Sequence, residues 1–408
     1  MVVLLLLIAF AIPFHTGLTR YLTGGFLGLW LLDVVLTRSA GKILNHPLAW
    51  LVVVFYLLHG MSFFYSSNEG QALFDLERKL TLLLLPVAFA GMNPFDGRSR
   101  QWVLLSFVAG TLTVTLIYTG IFVEKLLDQQ YWNYFLRFPL FNFYADFSYF
   151  NHPTYYSLFL ELSIIFLLYL TRQPEKLIPK SWMILLIVFF TLMVFLVSSR
   201  AAIVSMIVVY VATVLMYVRR WYFRLGLLAG MMAAAVMGLS NYRFGNYIEL
   251  AEKVIQGEKI SRAGVIEQDA LRLLIWDASL DIAREHLWFG TGAGDIRDEL
   301  TAEYLKRDIR QYMDRSYNPH NQYLSTLLGI GITGLVVLMV LLFWPLIRSL
   351  RKGDYLTPVF LILYMTHFVF ESMLNRSPGI LSFAFFFGFL VLNQWVPGNR
   401  REANRSLS

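Results

Sequence analysis

The stretch "MILLIVFFTLMVFLVSSRAAIVSMIVVYVATVLMYV", residues 183–218, runs for 36 residues with one short polar interruption. As a single helix it would measure about 54 Å at 1.5 Å per residue, against a bilayer hydrocarbon core of roughly 30 Å. It must therefore be two membrane helices, broken at Ser198-Ser199-Arg200. Apolar runs long enough to cross a bilayer recur from the first residues to Trp395. The chain is 57% hydrophobic and only 15% charged over 408 residues, too oily for a soluble domain of this size. Few segments alternate, which argues against a barrel. The expected fold is all-α: a polytopic integral membrane protein with about twelve transmembrane helices and one long helical loop.

The twelve spans are expected near residues 2–17, 19–37, 47–65, 73–92, 101–123, 153–171, 181–198, 201–218, 222–240, 320–346, 355–372 and 379–396. Residues 1–240 then carry nine spans, 241–318 an outer loop subdomain, and 319–408 three spans and a tail. The net charge of +7 does not indicate nucleic acid, because Lys and Arg fall in short clusters between spans, as the positive-inside rule expects. Arg38 and Lys42, Arg98 and Arg100, Arg219 and Arg220, and Arg348 with Arg351 all fall on one side, which should be the cytoplasm. The first apolar run also resembles a signal-peptide core, but it lacks a basic leader and is expected to be a retained helix. Cysteine is absent, which removes disulfides and thiolate chemistry.

Two outer loops are long. Residues 124–152 are rich in aromatic rings, which favour the headgroup layer. Residues 241–318 hold 11 basic and 14 acidic residues, and within them Leu271, Leu274, Ile275, Ala278 and Ile282 follow helical spacing. Such a helix either lies on the membrane or packs within its own subdomain. The Gly290–Gly294 run follows a helix and lacks the Lys-Ser/Thr ending of a phosphate loop, so it is expected to be a flexible turn.

The residues that suit chemistry cluster at the outer ends of spans. Arg200 sits at the outer lip, where an arginine either snorkels to headgroups or marks a functional contact. Arg272 has the planar fork that suits phosphate, against the alternative of a solvated helix face. In "NPHNQYLSTLLGIGITG", Pro319 suits a helix start and puts His320 in the first turn, on a stripe with Leu324, Leu327, Gly331 and Gly334. Glycine on that stripe would admit a neighbouring helix and turn the ring inward, where imidazole can act as a general base; capping or packing is the blander role. "HFVFESMLNRSPG" puts His367 and Glu371 a turn apart, and "NHPTYY" with His152 suggests a second polar mouth. Asp75, Glu77, Arg78 and Lys79 look like an interfacial collar.

In order along the chain, "SSRAA", "RLLIWDASLDIAREHLWFGTGAG", "HNQYLSTLLGIGITG" and a glutamate in the next span resemble the O-antigen ligase and polymerase family of bacterial envelope glycosyltransferases. The resemblance covers roughly residues 180–390. It implies a GT-C-like membrane fold in the inner membrane, with the active site facing the periplasm. It also implies transfer of a glycan from undecaprenyl diphosphate to an acceptor hydroxyl, with lipid A–core the expected acceptor. By motif, His320 would be the catalytic base, Arg200 and Arg272 would hold the diphosphate, and Asn321, Glu371 and His152 would support them.

A lipid diphosphate is both activated and membrane-held, and its departure develops charge that guanidinium groups can stabilise. No Asp-x-Asp triplet occurs, so a metal-independent, cofactor-free and inverting transfer is expected. An O-antigen polymerase joining lipid-linked repeat units is the close alternative. A transporter of lipid-linked glycans is the alternative from another class.

Overall fold

The computed structural model describes residues 1–14, 17–37, 40–128, 151–197, 200–217, 220–222, 224–225, 268–307 and 318–395. Among them the chain is helical, with no strand. The amino-terminal part contains α1 (Val2–Ala11), α2 (Gly17–Thr37), α3 (Ala40–Leu44), α4 (Pro47–Phe63), α5 (Glu69–Gly91) and α6 (Gly97–Leu126). Next come α7 (Pro153–Leu170), α8 (Lys180–Val197) and α9 (Arg200–Tyr217). The loop region supplies α10 (Gln268–Glu285) and α11 (Ile296–Lys306), followed by α12 (Gln322–Arg351), α13 (Leu356–Phe370) and α14 (Ser377–Phe386), which runs on into a wider turn at Phe387–Leu392.

Four helices among the described residues, α6, α7, α8 and α12, are long and apolar enough to cross a membrane. The expected count of twelve spans is therefore not confirmed among the described residues, where several other apolar helices are only 10–17 residues long. The expected span at 222–240 and the aromatic part of the 124–152 loop lie mostly outside the described residues. Within the 36-residue apolar run α8 is described to Val197 and α9 from Arg200, and the expected break at Ser198-Ser199 lies outside the described residues.

Caps set several boundaries. The Asn68, Asp96 and Asn321 side chains accept from backbone N–H groups in the first turns of α5, α6 and α12, and His152 does the same for α7 ahead of Pro153. Helix α7 is buried along nearly its whole length and packs against α6, α8, α9 and α13. Around it Phe107, Phe166 and Phe386 meet edge-on or tilted at 4.8–5.5 Å between ring centroids, an arrangement that suits the charge distribution of aromatic rings.

A buried polar cluster crosses this apolar core. Glu161 on α7 lies 2.6 Å from His367 Nε2 on α13, and Ser205 on α9 donates to Glu161 at 2.7 Å. With Glu161 1% and His367 0% exposed at the side chain, the pair clamps three helices in a medium that makes unpaired polar groups costly. His367 and Glu371 are thus not partners: one faces the core and the other the end of the bundle.

The amphipathic helix α10 does not present its apolar face to a membrane. Ile275, Ala278 and Ile282 bury against Ile296, Leu300 and Tyr304 of α11 and Leu328 of α12, forming a small second core. The Leu271 side chain lies outside the described residues.

Candidate functional site

Helix α12 starts at Gln322, later than Pro319 suggests, so His320 precedes the helix instead of occupying its first turn. The reason is Asn321, whose side chain accepts from Leu324 N at 3.0 Å and fixes the start. Asn321 therefore acts as a helix cap. His320 has φ +45°, the one non-glycine with positive φ among the described residues, a left-handed conformation that surrounding contacts must hold. Those contacts are local: His320 N–H donates to Asn318 Oδ1 at 2.8 Å, and Trp276 Nε1 on α10 donates to the Pro319 carbonyl at 2.9 Å.

The turn aims the imidazole at Glu371. His320 Nδ1 lies 3.1 Å from Glu371 Oε2, while Glu371 Oε1 accepts from Ser372 N–H at 3.1 Å. Glu371 follows the last residue of α13 and is 4% exposed. Its segment is fixed to α12, because Leu374 N–H donates to Gln322 Oε1 at 2.7 Å and Asn375 Nδ2 to Ser325 Oγ at 2.6 Å. Burial pushes the Glu371 carboxyl up, but the hydrogen bond to His320 and the charges of His320, His152 and Arg272 outweigh it, leaving the pKa below the ordinary value. An ionised Glu371 accepts a hydrogen bond from Nδ1–H, so the ring's acceptor nitrogen is Nε2.

Arg272 lies one turn before Trp276 on α10, the same face that is bonded to the His320 turn, and it is within electrostatic reach of Glu371 and His152. His152 caps α7, accepting from Thr154 N–H at 3.4 Å. His152 is exposed, but protein packed around its ring desolvates it enough to lower its pKa. Glu371 opposes the shift, and His320, Arg272 and Arg376 reinforce it. His320, Glu371, Arg272 and His152 are thus brought to one end of the bundle. Arg200 opens α9, but its side chain lies outside the described residues.

The glycine stripe on α12 does not admit a neighbouring helix. The helix breaks at Ile330 and Gly331, and Gly331 has φ +69°. A Cβ on Gly331 would lie 2.2 Å from the Trp288 carbonyl oxygen, so it is the 287–294 loop that makes the close approach. This loop is also not a free turn. Thr291 N–H donates to the Leu328 carbonyl at 2.7 Å, Tyr65 Oη donates to the Phe289 carbonyl at 2.6 Å, and Asp295 accepts from Ser67 and Asn68 N–H at 2.7 Å each. It latches the loop region to α4, α5 and α12 at the end that carries His320.

Three further residues stand beside this constellation, of which Tyr155 had no role assigned from the sequence. Tyr155, in the first turn of α7, has a buried hydroxyl without a hydrogen-bond partner among the described residues and lies within electrostatic reach of Glu371 and Arg376. Arg376 also acts on His152. Lys79, expected in an interfacial collar, is 4% exposed and bonds to Asn375 Oδ1 at 3.2 Å. The signal for the first two was an interruption of apolar sequence by "NHPTYY" and "ESMLNRSPG"; the burial of Lys79 had none.

No curated protein matches the chain significantly. The family model described as O-antigen ligase matches residues 157–339, from α7 through the broken part of α12. That span includes Arg200, Arg272 and His320, and over it the chain is similar to the O-antigen ligase family.

Proposed function

We propose that the chain is an O-antigen ligase, transferring a glycan from undecaprenyl diphosphate to lipid A–core at the periplasmic face of the bacterial inner membrane. The observation that carries this reading is the His320–Glu371 contact of 3.1 Å, made on a left-handed turn and with Arg272 within electrostatic reach of the carboxylate. A carboxylate on Nδ1 fixes the tautomer in which Nε2 is basic, and it stabilises the imidazolium that forms when Nε2 takes a proton.

In the reaction, Nε2 removes the proton from an acceptor hydroxyl as that oxygen attacks the anomeric carbon. The bond from this carbon to the diphosphate oxygen breaks, the electron pair leaves with undecaprenyl diphosphate, and the anomeric configuration inverts. Arg272, and Arg200 by its place in the sequence, stabilise the charge that develops on the diphosphate. Glu371 and His152 support the base, and Asn321 holds the start of α12 behind it. No step in this scheme uses a metal or cofactor. The family match and the apolar helices support a membrane enzyme, and the short basic clusters expected on the opposite, cytoplasmic side of the spans support a periplasmic site.

Reconstitution with a defined lipid-linked glycan and lipid A–core tests the proposal. Mass spectrometry should find glycan joined to lipid A–core. Lengthened lipid-linked chains formed without that acceptor would favour the polymerase. Translocation of the lipid-linked glycan with no covalent product would favour the transporter.

A further inference from the structure

We propose that the cavity on the other side of the His320 turn, lined by Arg78, Arg297 and Arg376, is a second anion subsite that takes a phosphoryl group. Its three guanidinium groups come from separate parts of the chain: α5, α11, and the link between α13 and α14. Arg78 is within electrostatic reach of both others, so the fold gathers like charges whose mutual repulsion an anion would relieve.

One carboxylate, Asp75, also lines the cavity and offsets part of this charge, leaving an excess of guanidinium groups. Asp75 is 3.9 Å from Arg78, while Arg297 and Arg376 make no ion pair among the described residues. Two carboxylates near Arg297 in sequence are engaged elsewhere, Asp295 by the Ser67 and Asn68 N–H groups and Asp298 by the Asn68 side chain. A fourth cation stands behind the cavity. Lys79 is buried against the neutral amide of Asn375, which itself lines the cavity, and that amide passes the contact on to Ser325. Several fixed donors of one sign, with planar forks among them, suit the oxygens of a phosphoryl group.

The subsite adjoins the candidate active site. Asn318 and Pro319 form part of its wall, and Asn318 also holds the His320 backbone. Arg376 acts on both Arg78 and His152. A phosphoryl group bound here would therefore sit behind the turn that carries the base. The subsite itself follows from this geometry; assigning its phosphoryl group to a substrate rests on the proposed transferase reading. The group could belong to the lipid-linked donor, to the acceptor glycolipid, or to a free inorganic anion.

The test uses the full chain in detergent and inorganic pyrophosphate as the probe, measured by calorimetry. An Arg272→Gln background weakens the site beside Glu371. Residual binding should persist there and fall by about tenfold or more when Arg297→Gln is added, the loss expected for one charge-assisted contact. Arg297→Lys in the same background should recover part of it. If the Arg297→Gln protein aggregates on size exclusion, Arg78→Gln in the same background makes the same comparison. No residual binding in Arg272→Gln, or residual binding indifferent to both substitutions, overturns the subsite. In transfer assays, a raised KM for donor alone in the single Arg297→Gln variant assigns the group to the donor, and a raised KM for acceptor alone assigns it to the acceptor. Weakened pyrophosphate binding with both KM values unchanged assigns the site to the free anion. Should the wild type bind pyrophosphate as described but transfer nothing, the subsite stands and the ligase reading falls.

Discussion

Ile332 donates its backbone N–H to the Leu287 carbonyl at 2.8 Å, across the break in α12. In an unbroken helix that donor would meet the Leu328 carbonyl, which instead accepts from Thr291 at 2.7 Å. The loop thus satisfies both groups freed by the break, one as acceptor and one as donor, as buried backbone requires. Loop and broken helix form one unit, and the His320 turn is built on it.

Gly331 is the point at which that unit has no slack. Gly331→Ala puts a Cβ 2.2 Å from the Trp288 oxygen at φ +69°. Thermal unfolding in detergent should show a loss of about 1–3 kcal/mol or more, with reduced transfer as the loop is displaced. An unchanged melting midpoint would mean the break is not strained in this way.

Asp295 holds the other side of the loop, with two 2.7 Å bonds from the Ser67 and Asn68 N–H groups. Asp295→Ala leaves both donors unpaired and should cost about 1–3 kcal/mol, while Asp295→Asn, which keeps one acceptor, should cost less. Melting curves of the two variants should fall in that order.

The core clamp gives a separate prediction. Glu161→Leu removes the partner of a fully buried His367 and should destabilise by about 3–5 kcal/mol, because breaking a buried pair strands the remaining group. The protein that remains folded at low temperature should still transfer, since the pair lies outside the candidate site. Loss of transfer at unchanged melting temperature would instead assign the pair a part in the chemistry.

Glu371 predicts a pH dependence of stability. Its carboxyl is held below the ordinary 4.5, so the folded state binds its proton less tightly than the unfolded state. The contribution is complete above the ordinary value and is lost as pH falls through the lower folded one. The melting difference between wild type and Glu371→Gln should therefore shrink as pH falls below about 4.5. A difference that grows on acidification would reverse the sign and remove the ionised carboxylate from the account.

Much of this arrangement was legible in the sequence because hydrophobic length and polar interruption are local signals. His320 stands out as an ionisable ring at the mouth of an apolar run. Local signals fail where distant segments decide. Nothing near Gly331 shows that the loop around Trp288 will meet it, so the glycines read as a helix-packing stripe. Pro319 favoured an early helix start until Asn321, two residues on, supplied the stronger cap. Glu161 and His367 are 206 residues apart, and Arg78, Arg297 and Arg376 come from three elements, so neither grouping has a sequence period to reveal it.

The most direct test of the proposed function replaces His320 by Ala in reconstituted protein supplied with lipid-linked glycan and lipid A–core. Initial transfer rates should fall by at least about a hundredfold, the usual contribution of a positioned general base, with the melting temperature close to that of the wild type. Transfer at the wild-type rate by a folded His320→Ala protein would contradict the account.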